Sequence, residues 1–404
     1  MSEPASNERL NDPSGELSGG RRTLAISLLI GLATLPDGLV PIALKAAVVD
    51  RWGVTLADAH WFAGMALIGA VLVVPLLRPL ERAYSAGRII AGASLLNAIV
   101  LMALAAPVPW SVAMTLRCVA GGCDMVTLAV LLGLLEAGGA GRAGHRYGPA
   151  TLAVLLGLAI GFALGGVLVT LLQSGIFLIG ASLSLLLAVA AGCSGGLLRR
   201  ESPRWQAART SVRYWPTLVF SFSDRSLAAI VTVTATLYLV TFIGMPERMV
   251  GSVLAGVLVL MALGAWPAGV LADRYGPLPV RVASVIGYVV GFAGLGAAEW
   301  LPEWAIVASL GIMGLFGAGL APSVYVLASR KTRGALDMGG VQAAGSAGYL
   351  VGLLSAGAIL AVSTSSPGVF QGVLFGGGTV YLLLNLPAVV AMAGWRAPAA
   401  VSDT

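Results

Sequence analysis

The feature that most constrains this chain is a recurrence: along 404 residues, apolar runs of 19 or more residues return twelve times. At about 1.5 Å per residue, each is long enough to cross a hydrocarbon layer of about 30 Å as a helix. Their approximate bounds are 24–49, 59–77, 89–107, 110–135, 148–172, 175–196, 215–243, 249–270, 279–298, 304–328, 338–362 and 368–393. Inside a bilayer no water is present to satisfy backbone N–H and C=O groups, so each run must close its own hydrogen bonds. Composition excludes the alternative of a water-soluble globule. With 58% hydrophobic and 10% charged residues and a mean hydropathy of +0.91, there is too little polar surface to cover a core. An all-α integral membrane protein follows.

The 24 Lys and Arg residues set its orientation. If connections alternate between two sides, 19 fall on the side of the termini, and only Arg51 and Arg248 on the other. By the positive-inside rule both termini are cytoplasmic, in a cell (inner) membrane. Lys45, Arg117 and Arg225 fall within spans and need separate explanation. Arg21-Arg22 before an apolar run could start an export signal, but that run is about 26 residues long, contains Asp37 and opens a set of twelve, so a basic flank is expected. Residues 1–22 read as a disordered tail, 23–197 as a first six-helix bundle, 198–213 as a basic linker, 214–396 as a second bundle and 397–404 as a tail. The net charge of +6 reflects topology and gives no reason to invoke nucleic acid.

The inventory excludes several chemistries. Cys118, Cys123 and Cys193 all lie in apolar spans, and Cys118 and Cys123 diverge on one helix, so packing is expected rather than a disulfide. The two histidines, His60 and His145, belong to opposite membrane faces. No metal cluster or hydrolytic triad can be assembled from these residues, so neither an enzyme nor a cofactor is expected.

The stretch YGPATLAVLLGLAIGFALGGV, residues 147–167, raises a different question. Besides Gly148 it carries Gly157, Gly161, Gly165 and Gly166 inside an apolar helix, each costing roughly 1 kcal/mol relative to alanine. Shifted by 191 positions, Gly148, Gly157, Gly161 and Gly166 fall on Gly339, Gly348, Gly352 and Gly357, Ala153 falls on Ala344, and Gly165 on Ala356. Spans 5 and 11 therefore carry one pattern twice, and the chain reads as two pseudo-symmetric six-helix bundles. The i+4 spacing makes a smooth stripe against which another helix backbone can approach closely. Two such halves suit a transporter that rocks around a midplane site.

Gly148, Gly157, Gly161, Phe162 and Gly165-Gly166 resemble the glycine-rich antiporter motif in helix 5 of the major facilitator superfamily drug/proton exporters. Phe162 stands where that family usually has proline. After span 8, GVLADRYGPLPVR (residues 269–281) is similar to the superfamily's loop signature at Gly269, Asp273, Arg274 and Gly276. Its counterpart after span 2 keeps Glu81, Arg82 and Arg88 without the leading glycine. Asp37 and Pro41 resemble the Asp-x-x-x-Pro pattern of helix 1, and Arg117 with Gly121 resembles the Arg-centred motif of helix 4. The resemblance implies the major facilitator fold, transport by alternating access, and a gating role for the loop.

Charge within the membrane marks function independently, because an acid or Arg near the bilayer centre costs on the order of 3 kcal/mol and must face a cavity or a partner. Asp37 lies near the middle of span 1, and Arg117 and Asp124 lie two turns apart on one face of span 4. A buried carboxyl beside an arginine is suited to load and release a proton, which makes Asp37 and Asp124, with Arg117, the candidates for proton coupling. Asp224 and Arg225, adjacent near the cytoplasmic end of span 7, read as a gate or interfacial pair. Spans 8, 10 and 11 carry no charge, and Trp266, Tyr325, Gln342 and Tyr349 are the candidate substrate contacts there.

These features point to a monomeric secondary transporter in a lipid bilayer, exporting a small lipophilic or amphipathic compound with the proton as coupling ion. An uptake permease for a small metabolite is the alternative, because a fold does not fix the direction of flux. A non-transporting sensor or assembly factor on the same fold is a third reading.

Overall fold

In a computed structural model the residues described are 13–136, 143–194, 198, 215–331, 335–363 and 366–393. The proposed tails outside these bounds, the linker 198–213 apart from Leu198, and the side chains of Asp273, Tyr325 and Gln342 lie outside the description. Twelve helices are long and apolar enough to span a membrane: α1 (Arg22–Trp52), α2 (Leu56–Leu77), α3 (Ala86–Ala105), α4 (Trp110–Leu134), α5 (Thr151–Leu172), α6 (Ile176–Cys193), α7 (Trp215–Thr241), α8 (Glu247–Ala272), α9 (Pro277–Gly296), α10 (Glu303–Val324), α11 (Ala343–Val362) and α12 (Pro367–Ala393). No strand occurs among the described residues. The chain is a multi-pass membrane protein of two six-helix halves, α1–α6 and α7–α12. The side on which α1 begins and α12 ends is here the terminal side, and the opposite one the distal side.

Local chemistry explains the boundaries. α1 ends where Gly53 takes a left-handed conformation (φ 63°), and α2 starts at a reciprocal cap in which Thr55 and Asp58 each accept a hydrogen bond from the other's backbone N–H. At the α8–α9 turn Gly276 has φ 92°, a region open to glycine and strained for other residues, and Pro277 then opens α9. Each half's first helix contains a π-helical turn toward its distal end, Lys45–Val49 in α1 and Ile230–Ala235 in α7. The cysteines are free, with Cys123 buried, Cys118 half-buried and Cys193 exposed.

The glycine stripes divide between two tasks. On α5, Ala153, Gly157, Gly161 and Gly165 all face α1: a Cβ on Gly157 would meet Gly31 O and Thr34 Oγ1, one on Gly161 would lie 2.7 Å from Gly38 Cα, and one on Gly165 would lie 2.9 Å from Leu39 O. On α11, Gly348 and Gly352 similarly face Phe222 and Ser226 of α7. These contacts stay within one half. Only the ends of the stripes reach across, Gly166 to Glu247 and Arg248 of α8, and its repeat mate Gly357 to His60 of α2. The stripes therefore mainly weld α5 to α1 and α11 to α7. Between the halves α5 packs along α8 and α2 along α11, with Gly251 against Phe162 and Gly64 against Leu354, largely through faces other than the stripes.

Buried apolar side chains show the same polarity. One large cluster takes residues from both halves, including Leu39, Phe62, Phe162, Phe177, Tyr238, Leu254, Leu353 and Phe370. Two smaller clusters are each confined to one half, around Ile30, Ile90 and Leu131 and around Phe220, Val324 and Met392. Both consist of residues near the terminal ends of their helices. The halves share a core on the distal side and have separate cores on the terminal side.

Candidate functional site

Among the described residues, each half holds inside its helices a polar cluster that brings an Asp together with an Arg. In the first, α1 brings Asp37 between Pro36 and Gly38, and α4 brings Arg117 and Asp124 on one face. The Asp37 and Asp124 carboxyl groups stand within hydrogen-bonding reach of each other, and the Arg117 guanidinium is close enough to act on both. Asn97 of α3 donates to Asp124 Oδ1 at 2.7 Å and to Ser184 Oγ of α6 at 3.3 Å. The structure thus assembles all three residues that the sequence singled out for proton coupling. It adds Asn97 and Ser184, which the sequence reading missed.

This cluster has unused hydrogen-bonding capacity. Arg117 Nε, Asn97 Oδ1 and Ser94 Oγ are buried without a partner, although buried polar atoms are rarely left so. Asp37, Asn97, Arg117 and Asp124 line one small cavity, and Ser94, Asn97, Asp124, Thr127 and Ser184 line a second. Each has room for about one water molecule.

In the second half, Asp224 does not pair with its neighbour Arg225. Consecutive residues on a helix point about 100° apart, and Asp224 turns into the bundle to meet Arg281 of α9. The two form a bidentate ion pair, Nη1 to Oδ2 and Nη2 to Oδ1, both at 2.7 Å. Tyr381 OH donates to Asp224 Oδ1 at 2.8 Å, Arg281 Nη2 donates to Asn385 Oδ1 at 2.6 Å, and Asn385 Nδ2 donates to Ser223 Oγ at 3.0 Å. Arg281 is wholly buried and lies over the Phe220 ring at 4.4 Å. Sequence reading placed Arg281 in a connecting loop; the signal that could have identified it was an arginine four residues beyond Pro277, inside the turn that opens an apolar helix.

Within the second half, Tyr349 OH of α11 and Thr232 Oγ1 of α7 are 2.5 Å apart. Arg225 is exposed at mid-helix, its Cγ beside Gly345 of α11. At the distal seam His60 of α2 is fully buried, with Nδ1 2.9 Å from Leu56 O and Nε2 2.9 Å from Thr234 Oγ1 in the other half. Of the remaining candidates, Trp266 is 80% exposed, Arg274 lies 5.4 Å from the Tyr275 ring, Gly269 would meet nothing within 4 Å, and Gly148 falls within the helix Ala143–Leu172. Asp273, Tyr325 and Gln342 have no described side chains.

Comparison with known proteins agrees with this architecture. Residues 214–400 match the family described as Major Facilitator Superfamily. An uncharacterized MFS-type transporter of Yersinia pestis is 26% identical over 318 residues, covering 75% of this chain and 77% of the relative. The uncharacterized MFS-type transporter YcaD of Salmonella arizonae is 26% identical over 324 residues, covering 76% and 77%. Among solved structures, the nucleoside transporter NupG superposes with a TM-score of 0.68 at 16% identity, covering 93% of this chain and 100% of that one. A bacterial homologue of the human lysosomal transporter Spinster, inward-facing and unoccupied, superposes with a TM-score of 0.67 at 11% identity, covering 93% and 96%. The fold is that of the major facilitator transporters, and the sequence matches support placing the chain in that superfamily.

Proposed function

We propose that this chain is a secondary transporter of the major facilitator superfamily, working by alternating access and driven by protons. The observation that carries this reading is the Asp37–Asp124 pair. Two carboxyl groups within hydrogen-bonding reach can share one proton between them, and the Arg117 guanidinium stands close to both. A change in the water around the pair then changes its proton load. With both termini cytoplasmic, the shared distal core is a closed outer gate, and the separate terminal cores correspond to an inward-open form. The loop of Gly269, Asp273, Arg274 and Gly276 is the proposed gating element, and the single chain the working unit.

The resemblance of the helix 5 and loop motifs favours proton-driven efflux of a lipophilic or amphipathic compound. The structural likeness to a nucleoside transporter favours the second reading, uptake of a small metabolite. The test is proton flux into proteoliposomes, followed with trapped pyranine after amphipathic compounds or uridine are added across an imposed pH gradient. Flux that requires the protein and disappears in Asp37→Asn is expected. Undiminished coupled flux in Asp37→Asn would move the proton site, with Asp124 next, and no coupled flux with any compound would remove the proton from the mechanism.

A further inference from the structure

We infer that the centre of the molecule, between Arg225, Arg117 and Tyr349, binds the negatively charged group of an organic anion such as a carboxylate or sulfonate. The inference rests on the transporter reading and names the substrate class for it. It starts from a charge without a counter-ion. Asp224, the acid next to Arg225, has both oxygens committed to Arg281 and Tyr381, and Arg225 forms no ion pair among the described residues. Arg225 lies ten residues past the start of α7, about 15 Å along the helix. An arginine exposed at that depth must face water rather than hydrocarbon.

Its direction is fixed by α11. The Arg225 side chain passes Gly345, where an added Cβ would come within 3.0 Å of Arg225 Cγ. One turn further along α11 stands Tyr349, tied to Thr232. The Tyr349 hydroxyl lies in the electrostatic reach of Arg225, of Arg117 from the other half, and of Asp37. Arg117 is nine-tenths buried and its Nε has no partner. The centre thus holds two guanidinium groups against one negative charge, if Asp37 and Asp124 share a proton. A singly charged anion restores balance. This departs from an apolar second half of the cavity, because Arg225 belongs to that half. A bound anion and an added proton on the Asp pair also favour each other, and by linkage each raises the affinity for the other. The two therefore travel in the same direction, which fits the uptake reading.

The test measures the field without requiring the natural substrate. In the full-length chain with Cys118, Cys123 and Cys193 replaced by alanine, Ser221→Cys places a thiol beside Arg225, and Ser226→Cys provides a second position. Each is labelled in proteoliposomes with an anionic sulfonate and a cationic trimethylammonium methanethiosulfonate. Relative to free cysteine, the anionic reagent is expected to be favoured about tenfold, within the range of electrostatic focusing in clefts. Arg225→Gln should remove most of that preference, and adding Arg117→Gln the remainder. Equal rates, a preference for the cation, a preference unaffected by Arg225→Gln, or no labelling at either position would overturn the site. Labelling needs no transport: a preference without coupled flux would sink the transporter reading alone, and flux without a preference would sink only the anion site.

Discussion

The two polar clusters use similar residues to opposite ends. In the second half, Asp224, Arg281, Tyr381 and Asn385 form a closed set in which both Asp oxygens, both Arg Nη atoms and the Asn amide are engaged. In the first half, two acids face each other beside an arginine, with three buried polar atoms unpartnered and cavities alongside. The closed set ties three helices of one bundle together, and within it only Arg281 Nε is left without a partner. An open set retains capacity for a proton or a water. On the proposed reading, the difference separates a structural ion pair from a proton-handling one, although both contain an Asp and an Arg in apolar helices.

The largest expected effect lies in the closed cluster. Asp224→Ala leaves the Arg281 guanidinium buried without a counter-charge, and removing one partner of such a pair costs about 3–5 kcal/mol. Folded, monodisperse protein in detergent should fall sharply, and Arg281→Met in the same chain should restore part of it. Normal stability of Asp224→Ala would erase the distinction between the clusters.

Asp37→Asn should leave the melting temperature nearly unchanged and reduce proton-driven accumulation by about 5–150-fold, the span of typical coupling energies. Downhill exchange should persist. A large fall in stability would place Asp37 with the structural cluster.

Asn97→Ala removes the donor to Asp124 and Ser184, a change worth about 1–3 kcal/mol for a buried hydrogen-bonded group. Its expected signature is a shifted pH profile of transport with substrate affinity retained. A pH profile identical to that of the parent would show that Asn97 does not tune the acid pair. The smallest effect is expected from Thr234→Val, which removes the His60 contact across the distal seam and is worth about 0.5–1.5 kcal/mol. Spin-label distances between distal ends of α2 and α7 should show more of the separated form; an unaltered distribution would mean that the apolar core alone holds the seam.

The spans were legible because length and hydropathy are properties of the chain itself: the expected 110–135 is found as Trp110–Leu134. Asp37, Arg117 and Asp124 were legible because ionisable groups in hydrocarbon are costly wherever they point. Asn97, Ser184, Tyr381 and Asn385 were not, since neutral polar residues are common in such helices and only rotation of the helix shows which meet. Arg281 was counted with the basic residues of the loop after span 8, although the expected span 279–298 already contained it. Adjacency in sequence made Asp224 and Arg225 a pair, whereas helical geometry directs them to different neighbours. The glycine repeat identified the tight helices and left open which partners they would meet.

The shared distal core has a thermal consequence. Opening the seam would expose apolar side chains such as Phe62, Phe162 and Leu254, all buried now, to water entering from that side. Exposure of apolar surface raises heat capacity, so the balance between closed and open forms must curve with temperature. Hydrophobic closure weakens on cooling, and a protein sealed by such a seam becomes easier to open in the cold.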